Sequence, residues 1–339
     1  MDRRTPSRIA QQQAVHRLDR LGSPAGPSMR VFEELAREDA LLRPATLLER
    51  ELIERLSDAD GVPTSWLLIG SGADDLIGQT LRAFAKPTNL VLFPPTDLAQ
   101  SRMAARLGVT PLVIERSSRM GVDLDRDGLP GFPPNAVALV QTPNDPTGTI
   151  TTPQDVVRMA RRSKLVVVDE RHAGHDHRSL LPLVREFENI VIVRSLEIWA
   201  GLAAFPVAFA IGSPKVIAAI RDARLTGPGA ANLVAAHATL DDLRHVRRVA
   251  DQLRDEKARL YRTLRKMNMV TPYPSWASFV LVRLERGDPA AMLDDLAECG
   301  VVLHRTPQPE LDAHARISAV SHEATAALRA ALMDLAADL

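Results

Sequence analysis

Six short stretches set reactive side-chain types beside turn-forming residues: GSGADD (70–75), PTD (95–97), QTPNDPTGT (141–149), VVVDERH (166–172), RSLEIWAGLAAFP (194–206) and ARISA (315–319). Gly70 and Gly72 precede a helical pattern, and backbone amides at a helix start attract an anion. Asp97, Asp145, Asp169, Glu170 and Glu197 offer carboxylates, and His172 offers an imidazole able to exchange protons near neutral pH. Arg316 offers a planar fork that binds both oxygens of a carboxylate. The fifth stretch is the odd one. Its centre, Glu197-Ile198-Trp199, puts an acid, a branched hydrocarbon and an indole in a loop of small residues where a reactive side chain is expected.

Other chemistries have weaker support. Ser71 lacks the GxSxG spacing of a nucleophile elbow, and GSGADD alone is not a dinucleotide fingerprint. His172, His175 and His177 with Asp176 are metal-ligand types. A histidine-rich surface loop is the simpler reading, and no metal is assigned. Cys299 reads as a core thiol on a helix.

The elements that must position these groups alternate in type. WLLIG (66–70), NLVLF (89–93), TPLVIE (110–115), AVALVQ (136–141), KLVVVDE (164–170), NIVIVRS (189–195) and VAFAIG (207–212) are short apolar runs. Helical patterns separate them, the first over residues 74–85. Such alternation predicts a mostly parallel sheet covered on both faces, with ligands beyond the carboxyl ends of its strands. One long amphipathic stretch, residues 231–267, then leads to a second unit with strands at SFVLVRL, VVLHR and ARISAV. The expected layout is an N-terminal arm over 1–30, a large domain over 31–265 and a small domain over 266–339.

Composition narrows the function. The 339 residues are 45% hydrophobic with 42 basic and 42 acidic side chains. A formal net charge of zero gives no electrostatic case for nucleic acid or membrane binding. The single cysteine excludes an internal disulfide and any multi-cysteine metal site. The first twenty residues lack the apolar core of a signal peptide and no window is long and apolar enough to span a bilayer, so a cytoplasmic protein is expected. Lysine is confined to Lys86, Lys164, Lys215, Lys257 and Lys266.

Taken in order, GSGADDLIGQTLRAF, QTPNDPTGT, LVVVDERH, RSLEIWAGLAAFPVAFAI and HARISA resemble the pyridoxal-phosphate-dependent aminotransferases of fold type I. The nearest branch is that of the histidinol-phosphate aminotransferases, which LGSPAGPS (21–28) and YPSWASFVLVRL (273–284) also resemble. The resemblance spans nearly the whole chain. It implies an α/β fold with a three-layer α/β/α large domain and a smaller α+β C-terminal domain, a homodimer, and pyridoxal phosphate as cofactor. It gives Asp169 the pyridine nitrogen, Arg316 the α-carboxylate of an amino acid, and Gly72, Ala73, Asp74 and Ser195 the cofactor phosphate. Pro146-Thr147-Gly148 keeps the turn beside the cofactor.

The departures matter as much. The resemblance puts Ile198 where the family has its Schiff-base lysine, and none of the five lysines is a convincing replacement. Pro206 stands for a phosphate-binding arginine, His172 for a tyrosine, Asp145 for the asparagine before Pro-Thr-Gly, Asp97 for the stacking aromatic, and Arg43 for a tyrosine lent to the partner subunit. Asp97, Asp145 and Glu197 add negative charge, so a dianionic phosphate is expected to be disfavoured and pyridoxal phosphate to bind weakly or not at all, without a covalent link. Ile198 and Trp199 are expected to fill the vacated space. Arg171, beside Asp169, is expected to point to the other face if the strand continues.

Three functional readings stay open. The first is a catalytically degenerate aminotransferase relative that binds an amino acid or another carboxylate, or serves as a partner subunit. The second is an active aminotransferase or lyase whose amine comes from elsewhere. The third is a pocket re-used for acid–base or metal chemistry through Asp169, Glu170 and His172.

Overall fold

The computed structural model describes residues 15–37, 39, 42–125, 131–133, 135–173 and 179–337. Its centre is a seven-stranded sheet in the order β2-β8-β7-β6-β5-β3-β4. The strands are β2 (Leu67–Gly70), β3 (Leu90–Leu92), β4 (Leu112–Val113), β5 (Val137–Gln141), β6 (Leu165–Asp169), β7 (Ile190–Ser195) and β8 (Ala208–Gly212). All neighbours pair parallel except at β8, which runs antiparallel to both β2 and β7.

The apolar runs form strands because both faces of the sheet are covered. Alternate residues of one strand enter different cores. Leu165 and Val167 of β6 pack with Leu76, Ile77 and Leu81 of the helix Ala73–Phe84, whereas Val166 and Val168 pack with Val156, Met159 and Val184. A third core joins the helix Ala45–Asp60, through Leu48, Leu52 and Leu56, to the sheet edge and to the helix Ala230–Asp241.

A second, antiparallel sheet of four strands has the order β12-β13-β10-β9: β9 (Val270–Pro272), β10 (Phe279–Leu284), β12 (His304–Arg305) and β13 (His314–Ser318). Its core includes Leu260 and Leu264 of the helix Leu243–Leu264, Leu328 and Leu332 of the helix His322–Ala337, and Leu18. Leu18 lies in the segment expected to be a separate arm. The short β1 (His16–Arg17) pairs parallel with β11 (Val301–Val302), and the Leu18 carbonyl accepts the Ser318 amide at 2.8 Å.

The stretch 231–267 is not one helix. It breaks at Asp242, whose backbone is non-helical and whose carboxylate accepts the His245 amide at 3.3 Å, a local bond that starts the second helix. Cys299 is exposed, not a core thiol, because it sits just after the helix Pro289–Glu298 ends. Among the described residues no helix is long and apolar enough to cross a membrane.

Candidate functional site

The alternation of β-strand side chains gathers the site. In β5, Val137 and Leu139 face the helix Ala73–Phe84; in β6, Leu165 and Val167 do; in β7, Val191 and Val193 do. Continuing by twos puts Gln141, Asp169 and Ser195 on that same face at the carboxyl ends of adjacent strands. Gln141 and Asp169 are direct partners in the ladder, and the Gln141 amide donates to Asp169 Oδ2 at 2.9 Å.

Asp169 is fully buried and charge-paired. The Arg171 side chain donates from Nε to Oδ1 at 3.0 Å and Oδ2 at 2.8 Å, and the Arg171 amide donates to Oδ1 at 3.1 Å. Both carboxylate oxygens are thus engaged from within the chain. Arg171 does not take the opposite face. It lies two residues after Asp169, so strand alternation itself returns it to the side of Asp169, and β6 ends there before the chain turns at Arg171 and His172. The same guanidinium reaches Asp74 at 2.6 Å and lies 3.9 Å from Asp97. Burial works against its charge, but Asp169 and Asp74 outweigh that and raise its pKa.

The glycine turn stands against a side chain of the same protein. Glu197 Oε1 accepts the Ala73 amide and the Ser195 hydroxyl, each at 2.9 Å. Gly72 has φ of 100°, and a Cβ there would meet Glu197 Oε1 at 2.9 Å and Pro206 Cβ at 3.2 Å. Glycine is therefore required twice over, by its backbone angle and by the space. Ile198 and Trp199 in the following turn are half-buried. The loop is closed from the N-terminal side: a Cβ at Gly201, φ 72°, would lie 2.4 Å from the Gly26 carbonyl carbon.

Arg316 arrives from β13 of the smaller sheet. Its Nη1 donates to Asp145 Oδ1 at 2.8 Å and Oδ2 at 2.6 Å, and its Nη2 donates to the Asp19 carbonyl at 2.9 Å. Its Nε is buried with no partner among the described residues. The guanidinium lies 5.4 Å from the Phe279 ring centre, and the His172 ring meets the same phenyl edge-on at 5.6 Å. His172 is 2% exposed, with Nε2 4.0 Å from Asp145. Burial pushes its pKa down to about 4, so it is neutral at pH 7.

The expected excess of negative charge is relieved locally. Asp145 is paired with Arg316, and Glu197 with an amide and a hydroxyl. Asp97 caps the helix Leu98–Arg106 by accepting the Ala99 amide at 2.9 Å, and burial raises its pKa. Glu170 faces away from the site and holds the 179–180 turn, accepting from Ser179 at 2.6 Å and the Leu180 amide at 2.7 Å. Arg43 is spent on Glu51 near the surface. His175, Asp176 and His177 lie outside the described residues. Lys86, Lys164, Lys215 and Lys266 are exposed, and Lys257 donates to the Ser275 carbonyl at 3.0 Å.

Sequence reasoning missed Arg116. It is buried and spans Phe93 O at 2.9 Å, Asn144 Oδ1 at 2.8 Å, Met120 O and Thr149 Oγ1. Asn144 also accepts from Thr96 and donates to Thr147, so this network fixes the turn that carries Asp145. An isolated arginine in ERSSRMG carries no pattern that announces such a role; Asn144, beside two prolines, was the available signal.

A mixed sheet with one reversed strand, polar groups gathered at the strand ends and an arginine supplied by a smaller sheet, is the fold type I architecture of pyridoxal-phosphate-dependent aminotransferases. The histidinol-phosphate aminotransferase of Clostridium acetobutylicum superposes with a TM-score of 0.83 at 17% identity, over 95% of this chain and 99% of that one. That of Sinorhizobium meliloti, in complex with pyridoxal-5'-phosphate, gives 0.81 at 20% identity over 96% and 92%. This chain belongs to the aminotransferase class I and II family, whose model matches residues 44–332. Its sequence is 30% identical to the histidinol-phosphate aminotransferase of Roseiflexus castenholzii over 95% of this chain and 90% of that protein. It is 28% identical to the chloroplastic histidinol-phosphate aminotransferase 1 of Arabidopsis thaliana over 92% and 76%.

Proposed function

We propose that this chain is a member of the aminotransferase family that does not transaminate. The observation that carries the reading is Ile198. Amino-group transfer in this family requires a nucleophilic nitrogen in the turn after β7, and the resemblance puts a hydrocarbon, Ile198, at that position. Pyridoxal phosphate, when bound, supplies a carbonyl that takes up an amino group and a ring that withdraws electrons.

The residues present do not fit that group. Asp169 already gives both oxygens to Arg171 and Gln141, so holding a pyridine N–H would mean breaking a buried ion pair. The Glu197 carboxylate stands in the cup a phosphate would need. The four exposed lysines do not replace the missing amine, and Lys257 is committed to a carbonyl of the 275 turn.

Arg316 makes an amino acid or another small carboxylate the ligand class, and such a ligand reaches the guanidinium by displacing Asp145. The reading includes a homodimer or a partner-subunit role. Acid–base chemistry through Asp169, Glu170 and His172 has less support, since the first is ion-paired, the second holds a turn and the third is neutral down to about pH 4.

The test is an amino-transfer assay with excess pyridoxal phosphate, glutamate as donor and a phosphorylated or aromatic keto acid as acceptor. No turnover above the protein-free rate is expected. Turnover that disappears when the cofactor aldehyde is trapped would overturn the reading.

A further inference from the structure

Two seats for an anion lie in this pocket, on different elements, and each already holds a carboxylate of the chain. The first is the start of a twelve-residue helix. Gly72 leaves room in front of it, the Ala73 amide and Ser195 hydroxyl point in, and Glu197 Oε1 receives both. The second is the guanidinium of Arg316, 5% exposed, whose Nη1 takes both oxygens of Asp145 while its buried Nε has no partner among the described residues. A guanidinium fork is best satisfied when two of its nitrogens each meet an oxygen. Asp145, whose amide is held by Gln141, meets Nη1 alone, while Nη2 goes to the Asp19 carbonyl and Nε is left without a partner among the described residues.

We propose that Glu197 and Asp145 are built-in anions that stand in for the phosphate and carboxylate ends of a ligand. They keep the helix start and the buried guanidinium electrically satisfied and exclude small anions from both. The helix terminus and the buried arginine would otherwise each need a counter-charge. Self-occupancy supplies it from Asp145 and Glu197, two of the three carboxylates that the resemblance puts at neutral positions of the family, so the site holds its shape without a bound cofactor.

This inference deepens the reading above, and its test is independent of catalysis. Thermal unfolding of the wild type, Asp145→Asn and Glu197→Ala is followed in sodium chloride, acetate and phosphate at matched ionic strength. The wild type gives the general effect of each salt, since excluded anions such as phosphate stabilise any folded protein, and the variants are read as shifts beyond it. Asp145→Asn is expected to gain stability in acetate, and Glu197→Ala in phosphate, with phosphate affinity by calorimetry about tenfold or more above the wild type. Where Glu197→Ala does not fold, Glu197→Gln replaces it, because it keeps the acceptor for Ala73 and Ser195 and loses only the charge. Wild-type protein that responds as strongly as the variants, or folded variants that respond no more than in chloride, overturns the inference. A response in one variant alone overturns it for the other seat. Silent variants leave the catalytic reading standing, and turnover by the wild type overturns that reading alone.

Discussion

Two buried arginines end on neighbouring residues of one turn, and they are held in opposite ways. Arg116 comes from the large sheet's side and donates to Asn144 and to other uncharged acceptors, with no acid in its hydrogen-bond set. Burial pushes its pKa down to about 9, which still leaves it charged at neutral pH. Arg316 comes from the small sheet and meets the carboxylate of Asp145. Arg116 has its donors spread over four acceptors fixed by the fold, as a brace has. Arg316 has one charged partner and a spare Nε, as a ligand-binding group has. The difference separates a group that holds the turn from a group proposed to hold a ligand seat, now paired with Asp145.

The comparison breaks most severely if the acid is removed. Asp145→Ala leaves Arg316 charged and buried with no carboxylate partner, only the Asp19 carbonyl, and a loss of about 3–5 kcal/mol in urea unfolding is expected. A loss under about 1 kcal/mol would mean that Arg316 finds water and that the pair matters little.

The neighbouring imidazole adds a pH dependence of the next size. The folded pKa of His172 lies near 4, below its ordinary 6.5, under burial opposed by Asp145 and Asp169 and reinforced by Arg171 and Arg316. The unfolded chain therefore binds the proton more readily. The contribution is complete above about pH 6.5 and is lost as pH falls towards 4, by about 3 kcal/mol in all. His172→Gln is expected to remove that part of the acid sensitivity, measured as unfolding free energy at pH 7 and at pH 4. An unchanged profile would assign the acid sensitivity to the carboxylates.

Arg116→Met gives the smallest effect. It leaves neutral acceptors short of a donor rather than a charge short of a partner, so about 1–3 kcal/mol is expected. A cost equal to that of Asp145→Ala would erase the distinction between brace and seat.

Much of this was legible in the sequence. Apolar runs such as KLVVVDE and NIVIVRS locate strands because both sheet faces are buried, and Asp169 and Ser195 follow from the strand period. What failed was tied to chain ends and breaks. The side taken by Arg171 follows from its two-residue spacing to Asp169, but the fold of its side chain back onto that carboxylate depends on where β6 stops. The burial of Leu18 depends on a two-residue pairing with a distant strand. The occupation of the cup by Glu197 was visible only as an added charge, since its destination depends on the fold of the turn.

The central claim is that the pocket lacks an amine at the end of β7 and is satisfied by its own side chains. The most direct measurement is the intact mass of the purified protein after incubation with pyridoxal phosphate and reduction with borohydride, followed by peptide mapping. The expected result is no adduct beyond scattered labelling of exposed lysines, equal in native and unfolded protein. A stoichiometric adduct on one lysine, formed only by the folded protein, would contradict the account.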